Sequence, residues 1–271
     1  MNRSELPYAA DLELALRLAD EADRISMQRF LASDLRVETK PDLTPVTEAD
    51  QAVERCLREV IAIERGDDTV AGEEYGGLIP GRLPTGRAWI IDPIDGTKNY
   101  VRGVPVWATL IGLIDDGHPI VGVVSAPALG RRWWAQQGGG AWTKTNLVDH
   151  DAPARQIHVS AVADLADASF SYSDREGWDE RTSPGRFEAL ASASWRTRAY
   201  GDFYSHVLVA EGAVDVAAEP ELNAWDIAAL IPIVQEAGGT VTGFDGSAAL
   251  TAGSAITSNS ALHPAVASTL A

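Results

Sequence analysis

The sequence predicts a layered α+β fold. A long helix-like segment comes first, strand-like segments joined by a tight turn follow, and the second half alternates strands with helices. A chain of 271 residues with 45% hydrophobic residues can bury a full core. We therefore expect a single domain over residues 1–271. It would consist of an α+β half, 1–145, and an α/β half, 146–271, with functional loops at their junction.

Two helices are predicted before the first long strand. Apolar residues recur at spacings of three and four between Leu6 and Leu31, which is typical of an amphipathic helix. Thr47 is a suitable N-terminal cap for a second helix that extends to about Arg65. The proline-containing segment 41–45 between the two helices is typical of a loop.

The strands of the first half are predicted from short apolar runs that end at turn residues. Residues 104–114 and 119–125 flank the turn Asp115–Gly117, which predicts an antiparallel hairpin. The other strands expected in this half are 70–75, 87–92 and 131–136. In the second half we expect strands near Ile157, Phe170 and Arg196, and helices over about 186–192, 203–212 and 225–237.

The composition excludes several classes of partner. A formal net charge of −17 argues against a general nucleic-acid or anionic-membrane surface, which would need basic residues to neutralise phosphates; a small anionic substrate would then be bound through cations. No segment is long and apolar enough to span a bilayer, and acidic residues interrupt the segment 1–24. Cys56 is the only cysteine, which excludes an intrachain disulfide and fits a reducing compartment. We expect a cytoplasmic protein.

The most informative segment is Trp89–Tyr100, where an apolar, strand-like run stops at two aspartates. Asp92 and Asp95 lie three residues apart in the sequence. Pro93 fixes the backbone between them, and Gly96 permits a tight turn after them. Two carboxylates about 4 Å apart repel each other by roughly 4 kcal/mol at an effective dielectric near 20. Such a pair requires cations or protons between its members.

Further acids stand where other segments begin or end. Glu73 and Glu74 follow a predicted strand, and Asp226 lies at the start of a predicted helix. Hard carboxylate oxygens suit Mg²⁺ or Mn²⁺ rather than zinc, and two such ions can activate water for phosphoryl transfer. Taken singly, these acids could equally be turn residues, a solvated pair and a helix cap. That alternative needs a separate coincidence for each cluster.

Ordered motifs extend over nearly the whole chain. They are Pro45–Asp50, Gly72–Glu74, Asp92–Tyr100 and Trp225–Ala229, with Glu236–Gly239 after the last. In this order they resemble the motifs of the inositol monophosphatase family of Mg²⁺-dependent phosphatases. The resemblance implies a layered α-β-α-β-α sugar-phosphatase fold. Within that family the chain is most similar to actinobacterial histidinol-phosphate phosphatases, through Arg102–Ala108, Ala126–Leu129, Arg131–Trp134 and Arg198–Phe203.

The resemblance implies a metal site that holds two or three Mg²⁺ ions, with Mn²⁺ as a substitute. Glu73, Asp92 and the backbone carbonyl of Ile94 would hold a first ion. Asp92, Asp95 and Asp226 would hold a second, so Asp92 would bridge the two. Most of these ligands belong to the N-terminal half.

The resemblance also implies catalytic roles for Glu73, Thr97 and Asp50. Glu73 and Thr97 would orient the attacking water, and Asp50 would hydrogen-bond the Thr97 hydroxyl from behind. Gly96 and Thr97 would open a helix whose free N–H groups point at the substrate phosphate.

The implied substrate-binding residues lie on two sides of the site. They are Asp95, Gly96, Thr97 and Asp226 near the phosphate, and Tyr200, Gly201, Asp202 and Glu219 at the other end. The carboxylates of Asp202 and Glu219 would favour a substrate that carries an amine or imidazolium, as L-histidinol phosphate does. The alternatives are that Asp202 caps the following helix and that Glu219 is a surface acid. A lysine at the position of Lys98 is also found in relatives that cleave phosphoadenosine phosphate, which keeps that substrate as an alternative.

The expected activity is hydrolysis of L-histidinol phosphate in histidine biosynthesis. The alternative substrates are inositol 1-phosphate, fructose 1,6-bisphosphate and phosphoadenosine phosphate. A non-catalytic regulatory binding protein would have lost metal ligands, and none of the expected ones is missing. We expect a small phosphorylated metabolite as partner and a homodimer, because relatives are commonly homodimers. On a strand, Trp133 and Trp134 point to opposite faces, so that one can be core and the other at an interface.

Overall fold

The computed structural model describes residues 6–41, 43–78, 82–147, 149 and 151–270. Its first layer is a pair of packed helices, α1 (Ala9–Arg29) and α2 (Glu48–Glu64). As predicted, Thr47 caps α2: its side chain accepts hydrogen bonds from the amides of Ala49 and Asp50, and Asp50 accepts one from the Thr47 amide in return. No helix among the described residues combines the length and hydrophobicity that a membrane span requires.

The predicted loop 41–45 connects a short antiparallel hairpin, β1 (Val37–Thr39) and β2 (Pro45–Thr47), whose two strands were not predicted. Asp42, which belongs to the predicted loop, lies outside the described residues. All three residues of β1 are exposed, so no apolar pattern marked this strand in the sequence.

The second layer is a seven-stranded sheet whose strands follow chain order. They are β3 (Thr69–Gly72), β4 (Arg87–Asp95), β5 (Ala108–Asp115), β6 (His118–Ala126), β7 (Arg131–Gln136), β8 (Ala141–Thr145) and β9 (Arg155–Ile157). β3 and β4 are parallel and the other pairs are antiparallel, so the predicted hairpin of β5 and β6 is confirmed. A short helix, α3 (Thr97–Arg102), follows β4.

The second half forms a five-stranded sheet with the order β11-β10-β12-β14-β13. Its strands are β10 (Ser169–Ser171), β11 (Arg196–Arg198), β12 (Val216–Glu219), β13 (Gly239–Thr242) and β14 (Ala255–Asn259). The helices are α4 (Trp178–Arg181), α5 (Arg186–Ala193), α6 (Asp202–Ala210), α7 (Ala224–Ile227), α8 (Leu230–Glu236), α9 (Ala249–Ala252) and α10 (His263–Leu270).

The layers alternate as the predicted α-β-α-β-α fold requires. One apolar core joins α1 and α2 to the near face of the seven-stranded sheet, and a second joins its far face to α6, α7 and α8. A third core lies between the five-stranded sheet and the outer helices α5 and α10. Trp133 and Trp134 lie in different cores, and both are buried. In the single chain α1 already covers Trp134, and an interface at Trp134 remains a prediction.

A close approach between helix and sheet sets the position of α7. Gly112 and Gly122 pair across β5 and β6. A Cβ atom on Gly112 would lie 2.9 Å from the carbonyl carbon of Ala228, and one on Gly122 would overlap the carbonyl oxygen of Ala229. The single helix predicted over 225–237 is in fact two helices, broken here, because Pro232 has no N–H to donate to the carbonyl of Ala228.

Candidate metal and phosphate site

Three carboxylates converge at the end of β4. One oxygen each of Asp92, Asp95 and Asp226 lies within 4.8 Å of the others. In a regular strand, residues three apart point to opposite faces, but the β4–β5 register shifts between Asp92 and Asp95. This irregularity includes Pro93, and it directs both aspartate side chains towards the same site. The carbonyl of Pro93 accepts a hydrogen bond from the Thr109 hydroxyl (2.8 Å).

Lys40 and Lys98 line the same cavity, but within the described part of the chain Asp92, Asp95 and Asp226 form no ion pair with a basic side chain. Burial, followed by the charges of Glu73, Asp95 and Asp226, raises the pKa of Asp92 well above its usual value. Burial raises the pKa of Asp226 to about 7, although the amide of Asn223 donates a hydrogen bond to its carboxylate. Divalent cations with a preference for oxygen ligands fit this donor set, because they supply the missing positive charge.

Glu73 lies next to the three aspartates but turns to a different partner. It follows β3, and its amide donates to the carbonyl of Ile91, the residue before Asp92. Its carboxylate accepts a hydrogen bond from Lys40 Nζ (2.6 Å). Glu74 accepts another from the same ammonium group (2.7 Å). Lys40 therefore binds the carboxylate that the sequence assigned to a metal.

Lys40 was not among the predicted site residues. Burial lowers the pKa of its ammonium group, but the hydrogen bonds to Glu73 and Glu74 outweigh this effect and the pKa is raised. Burial raises the pKa of Glu74 to about 7, against the opposing effect of Lys40. A cation that binds Glu73 must compete with Lys40.

Thr97 and Asp50 are close to each other behind the cluster. The Thr97 hydroxyl lies 2.9 Å from the carbonyl oxygen of Ile94 and 3.4 Å from Oδ1 of Asp50. A hydroxyl has a single proton, so in this state the shorter contact, to Ile94, receives it. Burial raises the pKa of Asp50 to about 6, and its other oxygen is held by Thr47.

Helix α3 begins beside the acid cluster. Gly96 is its N-cap and has a positive φ of 84°. A Cβ atom there would lie 3.0 Å from the carbonyl oxygen of Val106 and 3.2 Å from Oδ2 of Asp202. Glycine is therefore required both by the backbone conformation and by the close packing. Gly96, Thr97 and Lys98, at the start of α3, line the cavity, and the first amides of a helix have no partner within the helix.

Asp202 is not the cap of its helix. The N-cap of α6 is Gly201, and the helix has no side-chain cap. Oδ2 of Asp202 instead accepts a hydrogen bond from the side-chain amide of Asn99 (3.2 Å). Burial raises the pKa of Asp202, and the charge of Lys98 opposes the shift.

Glu219 is buried at the end of β12, so it is not the surface acid that one interpretation of the sequence allowed. Oε1 of Glu219 accepts a hydrogen bond from the Ser173 hydroxyl (2.6 Å), and Ser173 accepts one from the amide of Asp202 (2.7 Å). Burial raises the pKa of Glu219 to about 8. The sequence analysis missed Ser173, because a lone serine after a short strand carries no distinguishing signal.

Most of the predicted site residues line two neighbouring cavities. The larger, of about 610 Å³, is lined by Glu73, Asp92, Ile94, Asp95, Gly96, Thr97, Tyr200, Gly201, Asp202 and Asp226. Asp50 lies behind Thr97. Glu219 lines a second cavity of about 220 Å³, which shares Asp95, Asp202 and Asp226 with the first. His206 also lines the second cavity, but burial lowers its pKa to about 4 and keeps it neutral.

Comparison with known proteins identifies the family of the chain. The profile of the inositol monophosphatase family matches residues 9–271. Two similar proteins are the histidinol-phosphatases of Mycobacterium tuberculosis (56% identity, 94% of this chain and 96% of that protein) and Streptomyces coelicolor (55%, 94% and 95%). A similar solved structure is the IMPase of Thermotoga maritima (30% identity, TM-score 0.81, 96% of both chains). The chain belongs to the inositol monophosphatase family.

Proposed function

We propose that the protein is a Mg²⁺-dependent phosphomonoesterase that hydrolyses L-histidinol phosphate to L-histidinol and phosphate. The observation that carries this proposal is the adjacency of two acidic regions. The cluster of Asp92, Asp95 and Asp226 opens into cavities that are also lined by the partly buried Asp202 and the buried Glu219. The names of the two actinobacterial relatives support the same substrate.

The metal ligands in this proposal are Asp92, Asp95, Asp226, Glu73 and the backbone carbonyl of Ile94. Two or three Mg²⁺ ions, or Mn²⁺ in their place, would activate water and stabilise negative charge on the phosphoryl and leaving oxygens. The protein supplies hard oxygen ligands in a largely buried site, with most of them in the N-terminal half. Asp226 is the ligand contributed by the C-terminal half, and α7 holds it against β4.

Glu73 and Thr97 orient the attacking water in this mechanism. Glu73 accepts a hydrogen bond from the water once Lys40 releases its carboxylate. Asp50 acts through Thr97, because its carboxylate lies close to the Thr97 hydroxyl and can hold it in one orientation. The free amides at the start of α3, at Gly96 and Thr97, donate hydrogen bonds to the phosphate oxygens.

Specificity in this proposal comes from Asp202 and Glu219. L-Histidinol carries an amine and an imidazole, both of which form charge-assisted hydrogen bonds with carboxylates when protonated. Tyr200 and Gly201 line the wall next to Asp202. An inositol ring offers neutral hydroxyls instead, which leave a buried carboxylate less well compensated.

A comparison of rates on four substrates tests the proposal. Phosphate release from L-histidinol phosphate, inositol 1-phosphate, fructose 1,6-bisphosphate and phosphoadenosine phosphate is measured at the same Mg²⁺ concentration. We expect the highest kcat/KM for L-histidinol phosphate and no release in EDTA. A clear preference for another substrate would retain the chemistry and overturn the assignment of the substrate.

The proposal includes a homodimer in the cytoplasm. The partly buried free thiol of Cys56 is consistent with a reducing compartment. Light scattering coupled to size-exclusion chromatography tests the oligomeric state.

A further inference from the structure

A completely buried glutamate lies beneath the turn that carries Glu73. Glu54 belongs to α2, and its side chain is inaccessible to solvent. Its carboxylate accepts a hydrogen bond from the amide of Glu74 (2.7 Å) and one from the amide of Tyr75 (3.2 Å). Arg58, one turn later on α2, donates a third from Nε (2.8 Å). The donors therefore converge on one anionic acceptor.

The turn is closed around this carboxylate. The amide of Gly72 donates to the carbonyl of Gly76 (2.9 Å), and a Cβ atom on Gly72 would collide with the carboxylate of Glu54. Arg58 also donates to the carbonyls of Val70 in β3 and of Gly76 at the end of the turn, so that it connects the strand to the turn. The turn thus follows the outline of the Glu54 side chain.

Glu73 lies between two fixed points in this turn. Its own amide is bonded to the carbonyl of Ile91 on β4 (3.2 Å), and the next two amides are bonded to Glu54. The Glu73 side chain is bonded to none of these turn residues; it lines the cavity with Asp92, and its partner there is Lys40. The direction in which its carboxylate leaves the backbone is set by these amide bonds.

We propose that Glu54 is a positioning residue for Glu73. Through the amides of Glu74 and Tyr75 it holds the Glu73 carboxylate where a divalent cation shared with Asp92 can reach it. This inference rests on the proposed role of Glu73 as a metal ligand. A carboxylate is required because an amide would turn an NH₂ group towards one of the converging N–H donors. Groups that support metal ligands in this way typically change metal affinity about 10- to 100-fold when they are lost.

A matched control exists at the opposite end of the same strand. Asp68 immediately precedes β3, whereas Glu73 immediately follows it. The Asp68 side chain is also shielded from solvent, pairs with an arginine, Arg87, and accepts a further hydrogen bond from Trp89. Asp68→Asn therefore removes a similar ion pair from the same part of the sheet without touching the turn.

The test compares Mn²⁺ binding to Glu54→Gln, Asp68→Asn, Glu73→Gln and the wild-type protein. Free Mn²⁺ is titrated by electron paramagnetic resonance without substrate, and folding is checked by circular dichroism and thermal melting. We expect both Glu54→Gln and Asp68→Asn to lower Tm, but only Glu54→Gln to raise the Kd for Mn²⁺, by about tenfold. If Glu54→Gln does not fold, Arg58→Met, which removes the third hydrogen bond, is measured in the same way.

The outcomes separate this inference from the proposed function. If Glu73→Gln weakens Mn²⁺ binding but Glu54→Gln leaves it unchanged, or shifts it no more than Asp68→Asn does, the positioning role is overturned. If Glu73→Gln has no effect on Mn²⁺ binding, the proposed metal ligand itself is wrong. Phosphate release by the wild-type protein then shows independently whether the proposed activity holds.

Discussion

Oδ2 of Asp95 accepts a hydrogen bond from the backbone amide of Phe203 (2.8 Å), although the two residues are far apart in the chain. Asp95 ends β4, and Phe203 lies in the first turn of α6. The same carboxylate therefore satisfies a free amide of α6 and contributes an oxygen to the acid cluster. Because Asp202 directly precedes Phe203, the hydrogen bond from Phe203 to Asp95 also holds Asp202 at the edge of the cavity.

Substitution of Asp202 tests this geometry. We expect Asp202→Ala to lower kcat/KM for L-histidinol phosphate by about 10- to 100-fold, because a charge-assisted hydrogen bond contributes about 1.5–3 kcal/mol. The loss on inositol 1-phosphate is expected to be much smaller. Asp174→Ala is the control, since Asp174 lines the same cavity but is exposed. Equal losses of Asp202→Ala on both substrates would contradict a role in recognising the cationic group.

Replacement of Asp92 separates catalysis from folding. Asp92→Asn keeps the shape of the side chain and the acceptor for the amide of Ile94. We expect turnover to fall more than about 10³-fold, because several kcal/mol of transition-state stabilisation depend on the bound ions. In EDTA, the Tm should rise, since one member of a mutually repelling set has lost its charge. Substantial activity at saturating Mg²⁺ would refute a bridging role for Asp92.

The stability of the metal-free protein should depend on pH. The pKa of Asp226 is raised from 3.8 to about 7 in the folded state. Between these values the folded protein binds more protons than the unfolded chain, so stability falls as pH rises from about 4 to about 7. We expect the Tm in EDTA to be lower at pH 7.5 than at pH 5.5, and Mg²⁺ to raise it more at pH 7.5.

Asp226→Asn is the control for this pH dependence. It removes the titrating group, so the fall in Tm should become shallower in EDTA. The buried, neutral His206 has the opposite effect, because its pKa is lowered to about 4 and its contribution to stability decreases as the pH falls below 6.5. An unchanged pH profile in Asp226→Asn would assign the dependence to other groups.

Lys40 is expected to oppose metal binding. Its ammonium group forms ion pairs with both Glu73 and Glu74. We expect Lys40→Met to lower the Kd for Mg²⁺ about fivefold, which corresponds to about 1 kcal/mol. Lys98→Met is the control, because Lys98 lines the same cavity but acts on Asp202. Isothermal titration calorimetry measures both, and an equal effect would indicate only the loss of a positive charge.

Local sequence signals were sufficient for much of the first half. The apolar periodicity of α1, the cap at Thr47 and the turn at Asp115–Gly117 depend on nearby residues, and all are found in the structure. The abrupt end of the apolar run before Asp95 marked the acid site for the same reason. Signals of this kind act within a few residues and can be recognised in a single sequence.

The unpredicted features depend on distant contacts. β12 contains two alanines and a glutamate, and β13 begins with a glycine, so neither strand has a strong local signal. Both strands are hydrogen-bonded to β14 in the folded chain. The ion pair of Lys40 with Glu73 and the burial of Glu219 likewise depend on segments that meet only in the folded chain. Their chemistry was visible in the sequence, but their partners were not.

The paired glycines of β5 and β6 make catalysis sensitive to positions that no substrate or ion touches. Gly112 and Gly122 leave a bare patch on the sheet, into which the connection between α7 and α8 settles. A methyl group added at either glycine would displace α7 from the sheet, and with it Asp226 would move away from Asp92 and Asp95. A screen for inactive variants should therefore recover substitutions in the middle of the sheet, and engineering for heat resistance by glycine replacement should spare these two sites.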